Sequence, residues 1–491
     1  MTLTQEHPGT ILALAGLALV GAFLAVVSPV AAVALAVAVL LVAVTLRAPA
    51  LGLVGGLLIT GAEGLFKARL NAEAVPSANG VGAIVLDLLL AAVAVWLCTR
   101  AGRRPFVAVW RAATRGERVA WGLVGAWLVV SVFQVLTSPD LTNAVEGLRL
   151  TQAYVLLVLA GLVLYAVHPS ELAVTRALLA AFAVIAAFAA WRALVDPSSW
   201  ELVYLLDRSP HAQLGGLVRD AGTFSTAVAL ASYLVPVAVF SLGIGLLDRR
   251  VRVLAWTTCA LALVGIIDSY ARTAILGLVI GAGLVALMLL AGREIPRRTK
   301  ALVAVGVLVV GAGAYAGAMA AGRQDTITER RAEGLSDPLG DRSLEQRWHT
   351  WRDSGRTIAH HPFGTGIGTV GHATTTDDRR LRGLKYTDNS YLKVVQEQGI
   401  GGLLFVVGIL SATVLAGRRI VRAGPARRPL AVAALAAVVS FLVLCLLQEY
   451  IELAGKVVAW TLLGVAVASA FGLTRDGRVA GARDRDGVHA A

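Results

Sequence analysis

Charge is scarce in this sequence: Asp, Glu, Lys and Arg make up only 15% of 491 residues. A soluble domain carries about 25%, so the chain cannot clothe itself in polar surface for water alone. Cysteine is nearly absent. Cys98, Cys259 and Cys445 each lie inside an apolar run, with no CxxC pair and no ligand spacing. That excludes a disulfide framework or a thiolate metal site and leaves small packing residues. Lysine accounts for five of the 44 basic residues, namely Lys67, Lys300, Lys385, Lys393 and Lys456. With so much Ala, Val and Gly, that skew suggests the coding habit of a GC-rich bacterial genome. There is no internal repeat and no low-complexity tract. The stretch Met1 to Pro8 has no basic cluster before its long apolar run, which predicts a retained first span and not a cleaved signal peptide.

What the chain does have is hydrocarbon. Hydrophobic residues reach 57% and the mean hydropathy is +0.74. Apolar runs of 18 residues or more are long enough to cross a core about 30 Å thick. The expected fold is an all-α, polytopic transmembrane bundle of about fourteen spans, near 10–27, 30–46, 50–66, 81–99, 118–136, 144–167, 172–194, 223–247, 252–268, 273–291, 301–320, 391–415, 430–447 and 456–472. The short second and third spans also allow a re-entrant pair. Residues 1–320 then hold the first eleven spans, 321–390 a large extracytoplasmic loop, 391–473 the last three spans, and 474–491 a disordered cytoplasmic tail.

Arginines set the orientation. The 100–118 loop carries six, at 100, 103, 104, 111, 115 and 118, and the loops near 248–252, 292–300 and 418–428 and the tail carry the rest of the clusters. Counting spans puts all of them on one side, the cytoplasm, together with both termini. The net charge of +13 is therefore a topology signal, with no nucleic-acid partner implied. The 321–390 loop is different, with eleven basic and ten acidic residues, and is too long for a mere connector. A second outer loop, 195–222, holds Trp200, Tyr204, Asp207, Arg208, His211, Arg219 and Asp220.

Within the large loop, Ser343 and Gln346 fit a capping box. Leu344, Trp348, Trp351 and Ile358 follow on one helical face and Pro362 ends the pattern. This predicts an amphipathic helix lying on the membrane surface or simply capping the bundle. Arg347, Arg352 and Arg356 on its other faces are solvated charges or an anion site. The run His360-His361-Pro362-Phe363-Gly364-Thr365-Gly366-Ile367-Gly368-Thr369-Val370-Gly371 contains a literal GxGxxG. No strand precedes it, so it is no dinucleotide site; a phosphate-cradling turn and a plain flexible turn remain open. Asp388 stands where the loop meets the next span, where it or Asn389 would serve as a helix N-cap. Arg272 sits in the short outer turn Asp268-Ser269-Tyr270-Ala271-Arg272-Thr273, either snorkelling or turned into the bundle at headgroup level. Asp87, Glu146 and Arg149 are candidates for interior ion pairing.

Taken in order, these features resemble the bacterial O-antigen ligase and O-antigen (exopolysaccharide) polymerase family. The pieces are Ser269 to Arg272, Arg347 four residues before Trp351, Pro362 to Gly368, Asp388-Asn389 with Tyr391-Leu392, and Glu397-Gln398-Gly399-Ile400-Gly401-Gly402. The resemblance implies a glycosyltransferase of surface polysaccharide biosynthesis in the bacterial cytoplasmic membrane. Its donor would be a polyprenyl-diphosphate-linked oligosaccharide in the lipid bilayer, and its acceptor a glycan or another lipid-linked molecule. It further implies Arg272 and Arg347 as diphosphate ligands, Asp388 as catalytic base with His361 and His360 in reserve, and Trp351, Asn389, Tyr391 and Glu397 in support, with no cofactor and no metal. Ligases proper carry histidine at the position of Asp388, so the aspartate is closer to the polymerases. A transporter or lipid-linked glycan flippase is the alternative, though no repeated halves are visible.

Overall fold

The chain is an all-α, multi-pass membrane protein, with one two-residue strand pair among the described residues. The computed structural model describes residues 29–73, 78–168, 170–208, 213–214, 217–219, 221–291, 342–371 and 387–473. The expected spans 10–27 and 301–320, the 292–300 loop, parts 321–341 and 372–386 of the outer loop, and the tail lie outside these residues.

The helices are α1 (Pro29–Arg47), α2 (Pro49–Ala72), α3 (Ala78–Leu97), α4 (Arg100–Ala112), α5 (Arg115–Leu136), α6 (Leu141–Val167) and α7 (Glu171–Arg192). There follow α8 (Ser199–Arg208), the pair β1 (Gln213–Leu214) and β2 (Leu217–Val218), α9 (Ala227–Leu247), α10 (Arg252–Asp268) and α11 (Arg272–Ala291). After the outer loop's helix α12 (Arg342–His360) come α13 (Ser390–Gln398), α14 (Ile400–Ala423), α15 (Pro429–Leu447) and α16 (Gly455–Phe471). Among the described residues nine helices are long and apolar enough to cross a membrane, and α16 is a shorter apolar helix.

The bundle is built around α9, α15 and α16, which are buried along nearly their whole length. Apolar on every face, they have no side to show to water. Two devices let them come close. Gly161 of α6 and Gly464 of α16 meet where any Cβ would lie about 2.0 Å from a carbonyl of the facing helix, so only glycine permits this crossing. In α9, Pro236 has no N–H for the Ser232 carbonyl, and Gly455 packs against that freed carbonyl while donating its N–H to Ser232 Oγ at 3.1 Å.

Two spans depart from the expectation. α6 is irregular in its N-terminal half, with a π-helical turn over Leu148–Gln152 and a 3-10 turn over Ala153–Leu156. The expected span 391–415 is instead two helices. Gly399, at φ +57°, ends α13, and Ile400 starts α14 by donating its N–H to Pro362 at 3.0 Å. The reason is polarity: α13 carries the buried side chains of Lys393, Glu397 and Gln398, which belong inside protein and not against lipid.

Candidate functional site

The turn Thr387 to Ser390 enters α13, and its conformation is tightly held. Asp388 has φ +48°, a region seldom used by a residue with a side chain. Thr387 fixes one side of it: its N–H donates to Glu449 Oε1 at 2.7 Å, and its hydroxyl lies 2.9 Å from both Glu449 Oε1 and the Asn389 carbonyl. Ser390 fixes the other, donating to the Gln448 carbonyl at 2.8 Å and accepting from Ile451 N–H at 3.2 Å. Asn389 is the N-cap, its Oδ1 accepting from Tyr391 and Leu392 N–H at 2.9 and 3.0 Å. The capping work is therefore done without the Asp388 side chain. Half-buried, that carboxyl is held above the ordinary aspartate range by desolvation, against the pull of the nearby Arg347 guanidinium.

Other expected residues gather here. Trp351 of α12 donates its indole N–H to the Asp388 carbonyl at 3.3 Å. The Tyr391 hydroxyl donates to the Leu442 carbonyl at 2.8 Å, tying α13 to α15. Tyr450, in the turn between α15 and α16, has its hydroxyl 2.5 Å from Thr273 Oγ, in the first turn of α11. Arg272 opens that helix; its side chain lies outside the described part, as do those of Ser343 and Leu344. Tyr270, at φ +51°, makes the tight reversal between α10 and α11, and Arg219 donates its Nε–H to the Ser269 carbonyl at 3.0 Å. The charges of Arg347 and Arg219 both reach the Tyr450 hydroxyl. Of the second outer loop, His211 and Asp220 lie outside the described residues.

His360 and His361 stand apart. Both are exposed at the end of α12, and His360 Nδ1 lies 2.7 Å from the Arg356 carbonyl. Nine residues beyond Trp351, His360 is about 13 Å further along the helix. The loop after them turns inward. Gly364, Gly366, Gly368 and Gly371 all have positive φ, from +78° to +104°. Their fold presents backbone N–H groups to an anion, but the anion is the chain's own. Glu397 Oε1 accepts from Gly368 and Val370 N–H at 3.1 Å each, while Thr365 and Gly366 donate to the carbonyls of Gln396 and Glu397. A phosphate has no place in a nest already filled by a carboxylate.

Beneath this loop lies a group that sequence reasoning did not find. Lys393 is fully buried, 2.8 Å from Glu397 and 3.1 Å from Glu452, with Thr151 Oγ of α6 at 3.5 Å. Glu449 lies beside them, and burial together with the Glu452 charge pushes its carboxyl up to about 8. The signal was available: Gln448-Glu449-Tyr450-Ile451-Glu452 puts two carboxylates in a short break between two strongly apolar spans. Elsewhere Arg149 pairs with Asp87 at 2.7 Å and with Glu146 at 2.5 Å, as interior pairing requires.

Fold and site together describe a multi-pass membrane protein whose polar residues converge at one end of an apolar bundle. Residues 257–407 match the family model described as O-antigen ligase. The match runs from α10 into α14 and takes in Arg272, Arg347, Trp351, Asp388 and Glu397; Glu449 and Glu452 lie beyond it. No curated protein matches the chain.

Proposed function

We propose that this chain is a membrane glycosyltransferase. It takes glycan from a polyprenyl-diphosphate-linked donor at the outer face of the cytoplasmic membrane and joins it to a glycan or lipid-linked acceptor. The observation that carries the reading is the Asp388 carboxyl, released from helix capping by Asn389 and standing in the field of Arg347, inside the stretch matched to O-antigen ligase. The arginine-rich loops, assigned to the cytoplasm by their charge, support an outward-facing site.

In this reading an acceptor hydroxyl gives its proton to Asp388 as its oxygen bonds the anomeric carbon. The bond from that carbon to the diphosphate breaks, and the electron pair leaves on the diphosphate. Arg272 and Arg347 take up the charge, because a planar guanidinium meets two phosphate oxygens at once. The raised pKa of Asp388 suits the role, since a base works best with a pKa nearer the working pH.

The test is the purified protein supplied with a polyprenyl-diphosphate oligosaccharide. The expected products are polyprenyl diphosphate and an extended glycan, with roughly a hundredfold slower turnover for Arg347→Lys. Movement of the intact lipid-linked sugar across vesicles, without release of lipid diphosphate, would make the chain a transporter.

A further inference from the structure

Lys393 stands apart from the proposed chemistry, yet it is the centre of the densest ionic cluster among the described residues. From α13 it faces Glu397, from the turn before α16 it faces Glu452 and Glu449, and from α6 it meets the Thr151 hydroxyl. Lys456 of α16 lies on the far side of Glu452, bonded to the Glu452 and Leu150 carbonyls. The Oε2 atoms of Glu449 and Glu452 both lie within 3 Å of the point where a Cβ on Gly371 would stand, at 2.9 and 2.5 Å, with Lys393 Cε 2.6 Å away. Glu449 Oε2 has no hydrogen-bond partner among the described residues.

Two of the carboxylates anchor different segments. Glu397 holds the glycine-rich loop through Gly368 and Val370 N–H, and Glu449 holds Thr387, the residue before Asp388. Lys393 alone cannot balance three buried carboxylates, and like charges so close do not all ionise.

We infer that Lys393 is a positioning residue: its ammonium binds Glu397 and Glu452 into one unit with Glu449, and through Thr387 that unit fixes the backbone of Asp388. The inference rests on the proposed function only in giving Asp388 a role in transfer. A proton shared by Glu449 and Glu452 halves the remaining negative excess, from two charges to one, and removing the cation makes every ionised carboxylate in the cluster costlier. The consequence depends on pH, whereas a role in filling space does not.

The experiment compares full-length wild type, Lys393→Met and Lys393→Met/Glu452→Gln from pH 5 to pH 9, by thermal melting and by transfer rate. Lys393→Met is expected to melt roughly 5–10 °C lower at pH 8, with the difference shrinking towards pH 5, where the Glu449 carboxyl holds its proton. Its transfer at pH 8 should fall on the order of a hundredfold. The double variant, with one carboxylate fewer, should recover most of both losses. A melting deficit equal at pH 5 and pH 9, or a double variant no better than the single one, overturns the inference. If wild type transfers nothing while the melting pattern holds, the glycosyltransferase reading fails and the ionic unit stands.

Discussion

The two ends of the bundle handle buried charge in opposite ways. At the arginine-rich end Glu117 and Glu171 each face a guanidinium of their own. Glu117, in a capping box with Thr114, takes two parallel bonds from Arg419 at 2.9 Å each, and that guanidinium lies 3.6 Å from the Phe471 ring centroid. Glu171 accepts from Tyr165 and Ser469 at 2.6 and 2.7 Å and faces Arg428 at 3.8 Å. At the other end Lys393 faces three carboxylates, and Asp388 stands half-buried above them with its capping duty taken by Asn389. Balanced pairs are what a bundle needs to hold its helices. An unbalanced, buried excess of one sign is costly to keep and is the pattern expected where protons are handled.

The largest expected effect lies at the unbalanced end. Asp388→Asn keeps the size of the side chain and removes its basicity, so transfer should fall by roughly a hundredfold to ten-thousandfold while membrane insertion and donor binding stay normal. A rate near wild type, measured as lipid diphosphate released, would reduce Asp388 to a backbone element and turn attention to His360 and His361.

Glu449→Gln sharpens the contrast through pH. The folded carboxyl is raised, so the folded state holds a proton that the unfolded chain releases at an ordinary carboxyl pKa. Wild-type stability therefore declines as pH climbs from the ordinary carboxyl range through about 8. The amide can still accept from Thr387 but does not titrate, so the variant should melt with a flatter pH dependence and gain most on wild type above pH 8. Identical slopes in a melting series would show that Glu449 is not the group holding the proton.

The smallest effect on transfer is expected at the balanced end. Arg419→Met should cost about 1–3 kcal/mol in stability, because it strands the buried Glu117, and leave the transfer rate within about twofold. A large fall in rate with an unchanged melting curve would mean that the two ends are coupled.

The sequence made the spans legible because length, hydropathy and arginine placement are additive signals that need no tertiary context. Interior pairing was legible at Glu146 and Arg149, whose spacing of three puts them on one face. The break at Gly399 was not, since a glycine among apolar residues is common in spans; what distinguishes it is the Pro362 carbonyl arriving from a distant loop. Asp388 and Trp351 could be singled out by motif, but only the fold reveals that Asn389 does the capping and that Glu397 fills the glycine nest. Glu449 and Glu452 belong to no periodic pattern and owe their meaning to Lys393, more than 50 residues earlier in the chain.

The joint at Gly399 also bears on how the protein lives in bilayers of different thickness. A continuous rod from Ser390 to Ala423 would carry every change in the tilt of its buried length to Asp388 at its tip. Tilt is how a span answers a thicker or thinner hydrocarbon layer. With the rod cut at Gly399, α13 no longer has to follow the axis of α14 and is moored by Ser390, Tyr391 and Lys393 to the neighbouring turn and helix. Under the proposed function the reacting end is thereby insulated from the mechanics of the lipid around it, and a membrane that swells or thins with temperature need not detune it.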